Sequence, residues 1–298
     1  AAVGADGGAP RPADGREDPS DRDVELLDAV VDALGGARRQ GQEEMVRAVA
    51  RALAEEGHLL VQAGTGTGKS LGYLVPAMRW AVDEGARVIV STATLALQRQ
   101  IVDHDAPRVA EAVRRACGRL PVVALLKGWN NYVCLRKAAG GYPEEDSLLS
   151  RAAGEYGASA TGEEVVRLRE WAMSTDTGDR DDLVPGVGDR AWAQVSIARR
   201  DCIGRKCPVR DSCFPVSARQ AAEDADLVVT NHSMLGLQAA STPVLPEARA
   251  IVVDEAHELA ARATSQLTVE LSYADVSSLV RLLRRESIAA TELETTGR

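Results

Sequence analysis

Eight residues constrain this chain more than any others: Ala63-Gly64-Thr65-Gly66-Thr67-Gly68-Lys69-Ser70. The run HLLVQ before them has the apolar character of a buried strand, and SLGYLVPAMRWAV after them has the length and spacing of a helix. Strand, glycine-rich loop and helix in that order predict a P-loop, with alanine in place of the first glycine of G-x-x-x-x-G-K-[ST]. Glycines let main-chain N–H groups converge on phosphates, and the helix N-terminus adds its positive dipole. In such a loop Lys69 reaches the β- and γ-phosphates of ATP, and the Ser70 hydroxyl ligands Mg2+. Pro76, inside the predicted helix, implies a kink or an early end.

Four further apolar runs follow: RVIVST (87–92), PVVALLKG (121–128), DLVVTN (226–231) and AIVVDEAH (250–257). Continuous Val/Ile/Leu runs separated by helical stretches predict an α/β fold with a parallel sheet buried on both faces. VELLDAVVDAL and EEMVRAVARALAEEG, upstream of the loop, show the three- and four-residue spacing of amphipathic helices. The last run ends in Asp254-Glu255-Ala256-His257, as a Walker B strand should. An acid there can hold Mg2+ and a second can activate the attacking water. Asp254 is assigned to the metal and Glu255 to the general base.

The formal net charge of −9 argues against a nucleic-acid binder until it is located. Residues 1–32 hold nine acids against three arginines, and 141–182 hold eleven against four. The remainder is net positive, and 195–220 carries six Arg/Lys against two Asp. Binding follows local charge, so a basic nucleic-acid path is compatible with the acidic total. No stretch approaches the roughly 20 apolar residues of a membrane span, and residues 1–23 offer no signal-peptide core. The sequence reads as cytoplasmic, with no membrane partner.

Of the five cysteines, Cys134, Cys202, Cys207 and Cys213 share the charged segment 129–217, which interrupts the strand–helix rhythm and reads as an insertion. Their spacing, C-x67-C-x4-C-x5-C, lacks the paired knuckles of a zinc ribbon. Four thiolates suit zinc or an iron–sulfur cluster, and spacing alone does not choose. Cys117, in RRACGRL, reads as a structural thiol. Arg199, Arg200, Arg205, Lys206 and Arg210 surround the last three cysteines, which suits thiolates and a phosphate-facing surface. Trp129, Tyr132, Trp192 and Phe214 flank the segment, and packing is the commoner task for aromatics in so small a unit.

With D-E-A-H downstream of A-G-T-G-T-G-K-S, the chain from about 36 to 268 resembles the XPD/DinG group of superfamily 2 iron–sulfur DNA helicases. ARRQGQEEM resembles the Q-motif, in which Gln42 would read the adenine edge and Arg39 is the matching arginine. STATLALQRQI (91–101) resembles motif Ia, whose Thr92, Thr94 and Gln98 would contact the backbone of a single strand. KGWNNYVC (127–134) resembles the approach to the family's cluster module, with Trp129 where arginine is usual. VVTNHSML (228–235) resembles the strand before the D-E-A-H box, with Asn231 and His232 matching. Gln62 stands where an acid usually precedes the P-loop, and Ala37-Arg38 where an aromatic residue or proline is common.

The resemblance implies a RecA-like P-loop domain interrupted by a module in which the four cysteines hold a [4Fe–4S] cluster. It also implies ATP and Mg2+ as cofactors, and single-stranded or forked DNA as partner, with Arg199, Arg200, Arg205 and Lys206 on the strand path. The activity it implies is ATP-dependent 5′→3′ DNA unwinding at single-strand/duplex junctions, in repair or replication-fork processing. The resulting division is an acidic disordered tail at 1–22, the motor's first part at 23–128, the cluster module at 129–217, the motor's second part at 218–268, and the start of a helical arch at 269–298. Beginning on alanine and ending without a second RecA-like domain, the chain reads as an N-terminal piece that is weakly active or inactive alone. The alternative is a nucleotide-binding, redox-responsive single-stranded-DNA binder that does not unwind.

Overall fold

The computed structural model describes residues 2–4, 19–37, 39–64, 67–140, 160–240, 243–268, 271, 273, 276 and 277. The first half runs β1 (Ala2–Gly4), α1 (Pro19–Ala33), α2 (Gln40–Ala54), β2 (Leu60–Gln62), α3 (Lys69–Glu84), β3 (Val88–Thr92), α4 (Leu95–Arg99), a π-helical turn (Gln100–Asp105), α5 (Ala106–Cys117) and β4 (Val123–Leu125). Short helical pieces follow: α6 (Leu135–Ala138), α7 (Ala160–Ala172) and α8 (Asp189–Ala193), with 3-10 turns between them. The α/β rhythm then resumes with α9 (Phe214–Asp224), β5 (Leu227–Asn231), α10 (His232–Ala239), β6 (Ala250–Val253) and α11 (Leu259–Leu267).

β4, β5, β3 and β6 lie side by side in that order, all parallel, with Val88 opposite both Leu227 and Ala250. β3 is central and fully buried because its side chains serve two cores. Val88 and Val90 join Leu74, Met78, Val109 and Leu227 under α1, α2, α3 and α5. Ile89 faces the other way, onto Ala124, Val228, Met234 and Leu245 under α9 and α10. Alternate burial on opposite faces is what a strand's two-residue period requires of a continuous apolar run.

Two expectations fail locally. β2 does not join the parallel sheet but pairs antiparallel with β1, Val61 opposite Val3. An open cleft separates it from β6, and Leu60 and Ile251 are left exposed. Ala2–Gly4, expected in an unstructured tail, are thus paired, and α1 begins at Pro19; residues 5–18 lie outside the described residues. Pro76 does not end α3, which runs on to Glu84. Leu71–Met78 are buried on every side, so packing outweighs the missing N–H bond. The same helix is clamped to α1 by Arg79, which donates to both carboxylate oxygens of the buried Asp23 at 2.5 and 2.9 Å.

The 129–217 segment has its own core of Val133, Leu168, Leu183, Trp192 and Val195. One buried cation fastens it to the sheet. Lys127, 1% exposed just beyond β4, donates from Nζ to Asp179 Oδ2 at 2.5 Å and Asp181 Oδ2 at 2.6 Å. Tyr132 and Asp179 form a β-bridge beside it, and the Val133 N–H donates to the Gly178 carbonyl. Burial raises the Asp179 carboxyl against the lowering effect of Lys127. Among the described residues no helix is long and apolar enough to cross a membrane. Removing one member of a buried ion cluster strands the others, so Lys127→Met should destabilise the protein by about 3–5 kcal/mol, read from the midpoint of urea unfolding.

Candidate nucleotide site and cysteine cluster

The P-loop's outline follows from its glycines. Gly68 sits at φ +76, capping α3, and a Cβ there would fall 1.9 Å from Gln42 Nε2. That amide donates to the Gly68 carbonyl at 3.4 Å, and its Oε1 accepts from the Arg39 N–H at 3.3 Å. Gln42, expected to read an adenine edge, here uses both ends of its amide to tie the start of α2 to the loop. Exposed Arg39 is the N-cap residue of α2. Thr67 Oγ1 donates to the Gly64 carbonyl at 2.9 Å, closing the turn next to Ala63. Thr65 and Gly66 lie outside the described residues.

Parallel pairing of β6 with β3 carries the D-E-A-H box to the mouth of this loop. Lys69 Nζ donates to Glu255 Oε1 at 2.5 Å across 186 residues of sequence. Asp254 is 8% exposed, and its Oδ2 accepts from the Tyr73 hydroxyl at 3.1 Å. The Asp254 N–H donates to the Ser91 carbonyl on β3. Tyr73 is buried, and burial, then the charge of Asp254, pushes its hydroxyl well above the usual phenol range. Ser70 also contacts this hydroxyl, so Tyr73 joins the two residues assigned to Mg2+. Sequence reasoning missed Tyr73, although its place one turn beyond Lys69 and Ser70 puts it on their face of the helix.

Glu255 has a left-handed backbone, φ +53 and ψ +46, which costs a non-glycine residue about 1–2 kcal/mol. Its bond from Lys69 holds the carboxyl below the ordinary glutamate range. Lys69, Tyr73, Asp254 and Glu255 line one end of the β2–β6 cleft, whose volume is about 1110 Å³; Trp80 and Arg249 line the other. α11, following the box, is drawn against α10, where a Cβ at Gly236 would lie 3.0 Å from Ala263 Cα.

Motif Ia is not laid out as expected. Thr92 is buried, its hydroxyl donating to the Thr94 carbonyl at 3.3 Å. Gln98 is 1% exposed, and neither amide atom has a partner. Thr94 accepts from the Leu97 N–H as the N-cap of α4. The sheet's full burial continues through Thr92, and α4 lies along β5 and β3, so two of the three side chains point inward in this conformation.

Cys134, Cys202, Cys207 and Cys213 line one small cavity, together with Trp129, Leu135, Ile197 and Pro215. Main-chain N–H groups face three of the sulfurs: Gly204 donates to Cys202 Sγ at 3.4 Å, Arg136 and Lys137 face Cys134, and Val216 faces Cys213. Burial raises the Cys134 and Cys213 thiols, and the neighbouring thiols raise them further. All five cysteines are free, and Cys117 lies elsewhere, against Asp83. Among the described residues no three His, Cys, Asp or Glu side chains are gathered as a ready-made site for a metal ion. Arg199, Arg200, Arg205 and Lys206 are exposed around the cavity. The Arg199 and Arg219 guanidiniums stack on Trp129 at 4.9 and 4.7 Å from the ring centre.

A lysine at the start of the helix after a P-loop, bonded to the acid of a D-E-A-H box at the end of a parallel strand, is the arrangement of a P-loop nucleotide-binding domain. The chain matches the DEAD/DEAH box helicase family over residues 39–120. It is 51% identical over 267 residues to the ATP-dependent helicase DinG of Mycobacterium tuberculosis H37Rv, covering 88% of this chain and 40% of that protein. It is 37% identical to the ATP-dependent DNA helicase YoaA of Escherichia coli K12, covering 74% and 33%. It is 34% identical to the 3′-5′ exonuclease DinG of Bacillus subtilis 168, covering 81% and 25%. The chain therefore spans two fifths or less of the length of these relatives, and it belongs to the DinG/XPD-type superfamily 2 helicases.

Since the bond from Lys69 lowers the Glu255 carboxyl, its stabilisation is full above the unfolded value near 4.5 and is lost as pH falls through the depressed folded value. The stability difference between wild type and Glu255→Gln should accordingly narrow between pH 6 and pH 3, measured by urea unfolding (about these limits). Tyr73→Phe, which removes one buried donor to a carboxylate, should cost about 1.5–3 kcal/mol in the same assay.

Proposed function

We propose that this chain forms the first motor half of an ATP-dependent DNA helicase that unwinds single-strand/duplex junctions with 5′→3′ polarity. The observation that carries the reading is that Lys69 meets Glu255 directly while Tyr73 joins Ser70 to Asp254 beside them. Lys69 neutralises phosphate charge, Ser70 and Asp254 hold Mg2+, and Glu255 takes the proton from the attacking water. In the described conformation Glu255 is bound to Lys69, so nucleotide phosphate must displace the carboxylate before either residue can act.

The domain division follows the same reading: motor at 23–128 and 218–268, with an inserted module at 129–217. Cys134, Cys202, Cys207 and Cys213 are proposed to hold a [4Fe–4S] cluster. Two features support this: the common cavity brings the four sulfurs together, and the N–H groups directed at sulfur favour thiolates against the opposing effect of burial. A bound cluster would cross-link the module and add redox capacity. Arg199, Arg200, Arg205 and Lys206 give the module an exposed basic surface suited to a single strand. Thr94 joins that path at the start of α4, and Thr92 and Gln98 do so only after α4 turns. The proposed setting is DNA repair or replication-fork processing.

The test uses the full-length protein, with forks carrying either a 5′ or a 3′ single-stranded tail. ATP-dependent separation of the 5′-tailed fork is expected, and exclusive use of the 3′ tail would overturn the polarity. Purified protein should be brown and contain iron, and Cys134→Ser should remove the colour whereas Cys117→Ser should leave it. Stoichiometric zinc in colourless, anaerobically prepared protein would refute the cluster.

A further inference from the structure

His232 opens α10 and is 1% exposed. Its Nδ1 lies 2.7 Å from Ser91 Oγ on β3. Its Nε2 is buried without a hydrogen-bond partner. The main-chain carbonyls of Asp254 and Glu255 lie beside the ring without completing a bond to it. Buried ring nitrogens are seldom left unpaired, so a second state in which Nε2 is satisfied is the simplest account of this placement.

The chemistry of the neighbours selects the tautomer. If the Ser91 hydroxyl donates to Nδ1, the ring hydrogen sits on Nε2, and the free end of the imidazole is a donor. The groups nearest that end are carbonyl acceptors, so donor and acceptors already face each other.

The residue that must move is Glu255. Its left-handed backbone and its bond from Lys69 occur together in the described conformation. Phosphate on Lys69 would release the carboxylate, and a change of the Glu255 φ from +53 would then rotate the Asp254–Glu255 peptide, at present tied by the Glu255 N–H to Asp254 Oδ1 at 3.0 Å, and turn the Asp254 carbonyl.

We propose that His232 is a positioning residue for hydrolysis, whose Nε2–H captures the main-chain carbonyl of the Asp254–Glu255 step once Glu255 has released Lys69. The captured carbonyl fixes the direction of the Glu255 side chain toward the attacking water. Through Ser91 the same ring is bonded to β3, whose end runs through Thr92 into Thr94 and α4. A shift of α4 on a single strand thereby reaches the general base by way of one serine and one histidine. The inference rests on reading the cleft as an ATP-hydrolysing site.

The experiment measures ATP turnover by the full-length protein with saturating single-stranded DNA, for wild type, His232→Ala, His232→Gln and Ser91→Ala. His232→Ala should lower kcat about tenfold, the worth of one well-placed hydrogen bond, while the KM for ATP and the affinity for DNA stay within about twofold. His232→Gln, whose amide N–H reaches the position of Nε2, should recover most of the loss. Ser91→Ala, a smaller change that keeps the test open if His232→Ala does not fold, should show the same kcat-selective fall. Unchanged kcat in His232→Ala or Ser91→Ala would overturn the proposal, as would a glutamine variant no better than alanine. Parallel loss of kcat, ATP affinity and melting temperature would also overturn it, marking His232 as a packing residue. A wild-type protein that turns over no ATP would sink the reading of the cleft itself, an outcome distinct from these.

Discussion

Lys69 and Glu255 come from the two ends of the sequence's sheet pattern, and the 2.5 Å bond between them is what the remaining architecture arranges. For it to form, β6 must lie parallel to β3 so that its C-terminal end faces the start of α3. β3 must in turn be buried on both faces, which its run of β-branched residues permits. The glycine at φ +76 must also turn the loop into the helix, a conformation without steric cost only for glycine. The bond pairs the two charges and covers the ammonium of Lys69. On the proposed function, nucleotide binding would be an exchange of one anion for another on Lys69, and the exchange would free the Glu255 carboxylate. Binding and activation would then be one event, because a single cation would serve both.

The 129–217 segment depends on the sheet in a comparable way. Its small core is joined to β4 through Lys127, a cation paired with two aspartates. The chain continues from Lys127 to Cys134 within two turns, and Cys134 N–H donates to the Val195 carbonyl at 2.7 Å, near the other three cysteines. The thiol cavity is thus joined to the end of β4 by a short, hydrogen-bonded stretch of chain. Arg99 of α4 also reaches Asp182 in this module at 3.3 Å, although that exposed pair is weak by comparison.

Much of this was legible in the residues. The P-loop, the D-E-A-H box and the strand runs around them have strong local signals, since glycine, lysine and β-branched residues are each demanded by one geometry. The segment 129–217 stood out as a break in rhythm, and it has a core of its own. What escaped was set by tertiary partners. Tyr73 carries no motif, and only the arrival of Asp254 beside it gives its hydroxyl a task. Thr92 and Gln98 looked like surface hydrogen-bonding groups, yet the depth of the sheet buries them. Nothing local in HLLVQ separates a strand within the sheet from one left across a cleft, so β2's pairing with β1 could not be read. Gln42 was recognised by motif, but its hold on Gly68 depends on how closely α2 approaches the loop.

The central claim is that Glu255 becomes the general base when nucleotide displaces it from Lys69. Its most direct measurement is ATP turnover by full-length Glu255→Gln with single-stranded DNA present, alongside the affinity for ATP. A glutamine can neither take the proton nor oppose phosphate on Lys69, so ATP affinity should hold or rise while turnover falls by about 100-fold or more. Turnover at the wild-type rate would contradict the account.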